Sequence, residues 1–242
     1  LKSLYRKSDW QKNKSQFALK VDTKKVNEFV KSLPFTLTAS QKKAIDEILS
    51  DLKRNIPMNR LLEGDVGSGK TVVAAIGAYV SYLNGFQTVI MAPTQILAQQ
   101  HYKTIKKLFP KLKIALITAS RFLIPDSSHI FIGTHALLHS KIDFTNVAFV
   151  VIDEQHRFGV EQRAHLVKKS KSPHVLTMTA TPIPRTIALT TYGDLNLSVL
   201  TDMPKGRLKI TTWVVPEKKR SGAYKWINSQ ITDHYSQCFI VC

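Results

Sequence analysis

From residue 34 onward, short runs of consecutive apolar residues alternate with longer stretches whose apolar positions recur every three or four residues. The runs are RLLE (60–63), TVIMA (88–92), KIALIT (113–118), HIFIG (129–133), VAFVVID (147–153) and HVLTMTA (174–180). Unbroken apolar runs of this length read as strands buried on both faces. The amphipathic stretches between them, at 41–52, 70–83, 94–108 and 185–192, read as helices. Strand and helix in strict alternation predict repeated βαβ units, hence an α/β domain with a mostly parallel open sheet flanked by helices. Residues 1–33 are rich in Lys and Ser with scattered apolar positions, which predicts a basic connecting arm carrying one short helix around 26–30 rather than a core. After Tyr192 come LNLSVL, the turn or linker MPKGR, a strand KITTWVV, a helix over 217–232 and CFIVC. That tail reads as the beginning of a second domain. The expected organisation is therefore an arm at 1–33, a main domain at 34–203 and a linker with the start of a second domain at 204–242.

Composition narrows the class without changing the fold. The 242 residues are 43% hydrophobic and 21% charged, an ordinary globular balance, with no run that would span a bilayer. Lys and Arg number 35 against 17 Asp and Glu, a formal net charge of +18. Such an excess attracts polyanions, nucleic acid first among them, although a solvated lysine-rich surface gives the same balance. The cysteines, Cys238 and Cys242, form neither a disulfide framework nor a zinc set, which fits a reducing cytoplasmic setting. The first residue is Leu rather than Met and no secretory signal follows it, so the chain is expected to be a piece of a longer protein.

The chemistry gathers where the predicted strands end. Gly64, Asp65, Val66, Gly67, Ser68, Gly69, Lys70 and Thr71 satisfy the phosphate-loop pattern, between a strand and a helix as that pattern requires. Glycines let backbone N–H groups curl around a phosphate, Lys70 reaches the outer phosphates, and the Thr71 hydroxyl can ligate Mg²⁺. The strand VAFVVID delivers Asp153 and then Glu154. In this setting Asp153 holds Mg²⁺ through water and Glu154 polarises the attacking water, the two roles phosphoryl transfer needs. ATP and Mg²⁺ are the expected cofactors. The segments APTQ with Pro93 and Thr94, GTH with Gly133, Thr134 and His135, and TAT with Thr179, Ala180 and Thr181 each follow an apolar strand. They therefore line the carboxyl edge of the sheet, where α/β folds bind ligands. Small hydroxylic and glycine residues there suit contacts to a phosphate backbone. An ordinary helix cap explains APT or GTH taken singly.

The order phosphate loop, APTQILAQQH, GTHALL, DEQH and TATPIPRT resembles the first motor domain of a superfamily-two helicase. More narrowly, RLLEGDVGSGKTVVA, VIDEQHRFGVEQR and MTATPIPRTIALTTYGDL are similar to the RecG family of bacterial DNA helicases, over residues 33–215. The resemblance implies a RecA-like phosphate-loop NTPase domain followed by the start of a second RecA-like lobe. It implies an ATP-dependent DNA helicase or translocase that remodels stalled replication forks and recombination junctions in repair and recombination. Lys70, Thr71, Asp153 and Glu154 would form the ATP site, with His156 and 179–181 coupling hydrolysis to movement and Phe35 and Gln41 beside the adenine. Gln41 also completes a capping box with Thr38, and the two roles are compatible. His156 has a local alternative as a satisfied strand-end histidine, and Arg157, Arg163 and Arg185 as solvated surface. The implied partners are branched or forked DNA bound without regard to sequence, and the second lobe and wedge domain of a full-length protein, with the chain a monomer and no membrane involved. The segment 117–138 departs from the family in its short connection between two strands, where the family has a longer, charged, helical insertion. The transcription-repair coupling factor shares TATPIPRT and is the alternative motor. A nucleotide-gated DNA-binding module without catalysis is the alternative of a different class. An RNA helicase fits less well, because Gln155 stands where Ala is expected.

The net charge of +18 and the loop chemistry generate a first prediction, that the chain binds DNA of any sequence with strong salt dependence. If about four phosphates are neutralised, log K falls with log salt at a slope of about −3 to −4. Fluorescence anisotropy across a salt series checks it, and a flat series returns the charge to a solvated surface.

Overall fold

The computed structural model describes residues 15, 17–125, 127–139, 144, 146–154, 172–181, 195–204, 211–234 and 237–239. In chain order its elements are α1 (Thr23–Ser32), α2 (Ala39–Leu52), β1 (Asn59–Gly64), α3 (Lys70–Leu83), β2 (Gln87–Met91), α4 (Gln95–Leu108), β3 (Ile114–Thr118) and β4 (Arg121–Leu123). There follow β5 (Ile130–Gly133), α5 (Ala136–His139), β6 (Val147–Asp153), β7 (His174–Thr179), β8 (Asn196–Leu200) and α6 (Arg220–His234). The chain divides into two compact units, Leu1–Lys205 and Gly206–Cys242.

All eight strands join one sheet in the order β4-β3-β5-β2-β6-β7-β1-β8. Every pairing is parallel except β3 with β4. The unbroken apolar runs have a simple cause: neighbouring residues of β2, β3, β5, β6 and β7 feed two separate cores. Ile90, Leu116, Ile132, Phe149, Val151 and Leu176 pack into one core with residues of α2, α3 and α4. Val89, Ala115, Phe131, Val150, Ile152 and Val175 pack into the other with Leu137, Leu138 and Phe144. A strand covered on both faces has no polar face to alternate, which is the signature of a parallel sheet. All seven residues of β6 are buried.

Helix starts follow from local chemistry. Thr38 Oγ1 accepts the Gln41 N–H at 3.2 Å and Gln41 Oε1 accepts the Thr38 N–H at 2.9 Å, closing the predicted capping box at α2. Thr94 Oγ1 accepts the Leu97 N–H at 3.3 Å and caps α4 in the same way. A buried polar cluster then fastens α2 to the sheet. Arg60 on β1 donates to Asp51 at 2.9 Å and Glu47 at 3.0 Å on α2, and to Ser198 on β8 at 2.8 Å. His174 is fully buried, its Nε2 donating to the Phe17 carbonyl at 2.5 Å while Nδ1 accepts the Met58 N–H at 3.1 Å. Burial lowers its pKa, so this bridge is built on the neutral ring.

Two expectations are corrected. The stretch read as an arm rather than a core contributes to the core, since Phe17, Leu19, Val26 and Phe29 are all buried in it. Phe29 stacks on Phe109 with ring centroids 4.7 Å apart and lies 5.0 Å from Tyr79. Four apolar residues dispersed among lysines carry no visible run, yet an extended segment at 17–19 and one helix face at 26 and 29 suffice to bury them. The strand expected at KITTWVV does not form over 211–215, where the residues are exposed and irregular. With no neighbouring strand among the described residues of its own unit, a β-rich composition has nothing to pair with. That unit's helix follows expectation, as one 3₁₀ turn at Glu217–Lys219 leading into α6. Cys238 and Phe239 are exposed and not in a strand, while 240–242 lie outside the described residues. The helix expected at 185–192 also lies outside them. The edge strand β4 and the short α5 are additions, and Phe122, Leu123 and Ile124 are exposed to solvent at the end of β4.

Strands β3 and β5 approach so closely at one point that only glycine fits. A Cβ on Gly133 would collide with the Ile117 carbonyl oxygen and lie 2.9 Å from Leu137 Cγ. The first obstacle is backbone and cannot swing aside. Gly133→Ala is therefore expected to destabilise the chain by about 1–3 kcal/mol, the usual cost of overpacking. Urea unfolding measures it, and an unchanged midpoint contradicts the close approach.

Candidate active site

Strand β1 ends at Gly64 and α3 begins at Lys70, so the phosphate-loop residues fill the turn between them. Gly67 and Gly69 have φ of +84° and +89°, the left-handed region that residues with a Cβ rarely adopt. These turns curl successive amides inward at the start of a 14-residue helix with no side-chain cap and no acidic residue in its first turn. The positive end of the helix dipole, with no side chain capping it, makes that turn an anion cradle. Lys70 Nζ sits across the cradle, donating to the Gly64 and Asp65 carbonyls at 2.5 and 3.1 Å. Burial lowers its pKa, and the carboxylates of Asp153, Glu154 and Asp65 partly offset that. The same interactions place the acid pair beside the loop.

Gln41 ties α2 to the cradle. Its Oε1 is committed to the helix cap and its Nε2 donates to the Ser68 carbonyl at 2.7 Å. Phe35 is 46% exposed and, with Pro34, Thr36, Leu37 and Lys42, lines a cavity of about 440 Å³ at the approach to α2. Val66 is exposed at the loop tip, and Ser68 is buried.

The acid pair is held from two sides. Asp153 closes β6, is 7% exposed, and its Oδ2 accepts from His101 Nε2 on α4 at 2.7 Å. Glu154 has φ +52°, a left-handed conformation unusual for a residue with a Cβ. That turn leaves its N–H on the Met178 carbonyl at 2.9 Å and brings its Oε1 to the Ala180 N–H at 3.2 Å. Thr179 Oγ1 in turn accepts the Thr181 N–H at 3.2 Å and lies 2.8 Å from Thr181 Oγ1. Acid pair and TAT segment are thus hydrogen-bonded neighbours, as the register Asp153 to Met178 requires. A divalent cation here could use the Thr71 hydroxyl and the second oxygen of Asp153, both hard donors suited to Mg²⁺. No group of three His, Cys, Asp or Glu placed to hold a metal ion by itself is found among the described residues.

The remaining expected contacts separate into two groups. Thr134 is 2% exposed, its N–H on the Ile117 carbonyl at 3.2 Å and its Oγ1 accepting the Ala136 N–H at 3.4 Å, and Thr179 is equally buried. Their hydroxyls serve local turns, as Thr94 serves its helix. His135 and Thr181 are exposed, and Pro93, Thr94 and Ala180 are half-buried. His156, Arg157, Arg163 and Arg185 lie outside the described residues. Sequence reasoning missed His101, although a histidine on the apolar stripe with Ala98 and Ile105 was a usable signal. It also missed Asp202, which accepts the Ser40 N–H at 2.8 Å at the start of α2. That bond holds the Asp202 carboxyl below its ordinary pKa.

The family model for DEAD/DEAH box helicases matches residues 38–190. The chain is 44% identical to the ATP-dependent DNA helicase RecG of Thermotoga maritima, the match covering 92% of this chain and 30% of that protein. It is 42% identical to the RecG of Aquifex aeolicus, over 94% of this chain and 30% of that one. A solved structure of RecG bound to a three-way DNA junction superposes with a TM-score of 0.81 at 38% identity, covering 96% of this chain and 32% of that one. The UvsW helicase from bacteriophage T4 shares the fold, with a TM-score of 0.57 at 15% identity over 76% of this chain and 69% of that one. The chain spans about a third of the length of the RecG relatives it matches.

If the cradle holds phosphate, Lys70→Ala weakens nucleotide binding about 10- to 100-fold, the loss expected when charge-assisted hydrogen bonds worth about 1.5–3 kcal/mol disappear. Titration with a fluorescent ATP analogue checks it. Equal affinity in the variant removes Lys70 from the site.

Proposed function

The chain belongs to the DEAD/DEAH box helicase family, and on that premise we propose that it is the first motor lobe of a RecG-type ATP-dependent DNA helicase, coupling ATP hydrolysis to remodelling of branched DNA in repair and recombination. The observation that carries the reading is the hydrogen-bonded meeting of Glu154 with Ala180 beside the Gly64–Lys70 cradle. It joins the residues suited to hydrolysis to those suited to reporting it. The RecG relatives favour this motor over the transcription-repair coupling factor.

ATP and Mg²⁺ supply the phosphoryl group and its charge-neutralising cation. The chain's own residues do the rest. The amides of 67–70 and Lys70 bind the phosphates, and Thr71 and Asp153 hold the cation. Glu154 orients the attacking water and accepts its proton. Phe35 and Gln41 stand on the side where the adenine is accommodated. The Ala180 N–H responds to any movement of the Glu154 carboxylate, so 179–181, with His156, pass the state of the site on. Pro93, Thr94 and the exposed His135 lie at the same sheet edge and are the groups there that reach the DNA backbone without reading sequence, while the buried Gly133 and Thr134 shape the turn that carries His135. The RecG structure similar to this chain is bound to a three-way junction, which supports branched DNA as the substrate class. No helix among the described residues is long and apolar enough to cross a membrane. A motor that acts on bacterial DNA works in the cytoplasm, and there we place this one, acting as a monomer.

In two-lobed motors an arginine from the far lobe stabilises charge on the transferring phosphoryl group, an effect of roughly 10³- to 10⁵-fold in measured NTPases. Opening and closing on DNA also needs both lobes. The purified 242-residue chain is therefore expected to bind ATP but to hydrolyse it slowly and not to unwind a three-way junction. A version extended to RecG length should do both. Phosphate release and strand separation, measured side by side, decide; efficient unwinding by the short chain overturns the one-lobe reading.

A further inference from the structure

Helix α4 turns a mixed face toward the sheet. Ala98 and Ile105 on it are fully buried, and between them His101, 7% exposed, points its Nε2 at the carboxylate of Asp153. Both side chains are about nine-tenths buried and 2.7 Å apart. An ionised carboxylate can only accept, so Nε2 carries the proton and donates it to Oδ2. Gln41, another buried polar side chain at this edge, serves the phosphate loop and not the acid pair.

A carboxylate with one oxygen fixed by a buried donor loses its freedom to rotate. Its second oxygen is then left for another partner, and the Asp153 charge reaches the Lys70 ammonium of the phosphate loop. Partners of this kind, which hold a metal-binding group without touching the metal, typically govern affinity by 10- to 100-fold. We propose that His101 is a positioning residue for the divalent cation of the nucleotide site, acting through Asp153. The inference rests on the nucleotide-site reading above. Because α4 starts at the Thr94 cap, the same bond ties the cation-binding carboxylate to the helix that leads out of the APTQ loop. A histidine that served only to fill the core would influence folding stability alone.

The test uses the 242-residue chain with ADP and Mn²⁺ as the probe, bound Mn²⁺ being read by electron paramagnetic resonance and ADP affinity being measured separately in EDTA. His101→Leu fills the space without a donor, and His101→Gln keeps one. The expected result is that His101→Leu weakens Mn²⁺ binding to the ADP complex by about 10- to 100-fold. ADP affinity in EDTA should stay within about twofold, and His101→Gln should recover part of the loss. Unchanged Mn²⁺ affinity in His101→Leu overturns the proposal, as does an equal loss in both variants or a parallel loss of ADP affinity in EDTA. Failure of the unsubstituted chain to bind ADP at all overturns the nucleotide-site reading instead, which keeps the two failures apart.

Discussion

Parallel pairing of β6, β7, β1 and β8 is the constraint on which the rest of the structure depends. Parallel strands end on the same side, so the register Asp153 to Met178, Glu63 to Thr179 and Gly64 to Leu200 leaves the strand ends in one row. From that row leave the phosphate loop, the acid pair and the TAT segment. A slip of one residue in the pairings of β6 would turn Asp153 to the opposite face of the sheet, because successive residues face opposite sides. The two cores prevent the slip. With all seven residues of β6 buried, a one-residue slip would exchange large apolar side chains between faces already packed.

Onto this edge the helices are fastened by buried polar ties rather than by apolar contact alone. Gln41 joins α2 to the phosphate loop, Arg60 joins it to β1 and β8, Asp202 meets the start of α2, and His101 joins α4 to Asp153. A hydrogen bond adds only about 0.5–1.5 kcal/mol net to folding. Its greater consequence here is directional, since a buried donor left unpaired is costly and the helices therefore settle where every tie is made. Phosphate loop and acid pair are thereby tied to the helices that carry the Thr38 and Thr94 caps.

Much of this was legible in the sequence. The six apolar runs could be read as parallel strands because a strand buried on both faces shows its burial continuously. The phosphate loop could be read because its geometry needs glycine at 67 and 69, where left-handed φ leaves little choice. What escaped was dispersed or conditional. Phe17 and Leu19 reach the core from an extended segment with no run to mark it. The stretch 211–215 has strand-forming residues but no partner among the described residues of its unit, and β propensity without a partner does not make a strand. The three-residue β4 is too short and too exposed to register as a period. His101 escaped for a different reason: a polar residue on an apolar stripe declares its purpose only when the opposite residue is known, and Asp153 lies 52 positions away.

Hydrogen exchange with and without a non-hydrolysable ATP analogue and Mg²⁺ tests most directly whether this edge is the nucleotide site. Exchange reports opening over minutes to hours, the range on which a loop closed by ligand slows. Protection is predicted to appear together in the loop 64–71, at 153–154 and at 179–181, all of which lie at the ends of β1, β6 and β7. Protection confined to other segments, or none at these three while the nucleotide is bound, would contradict it.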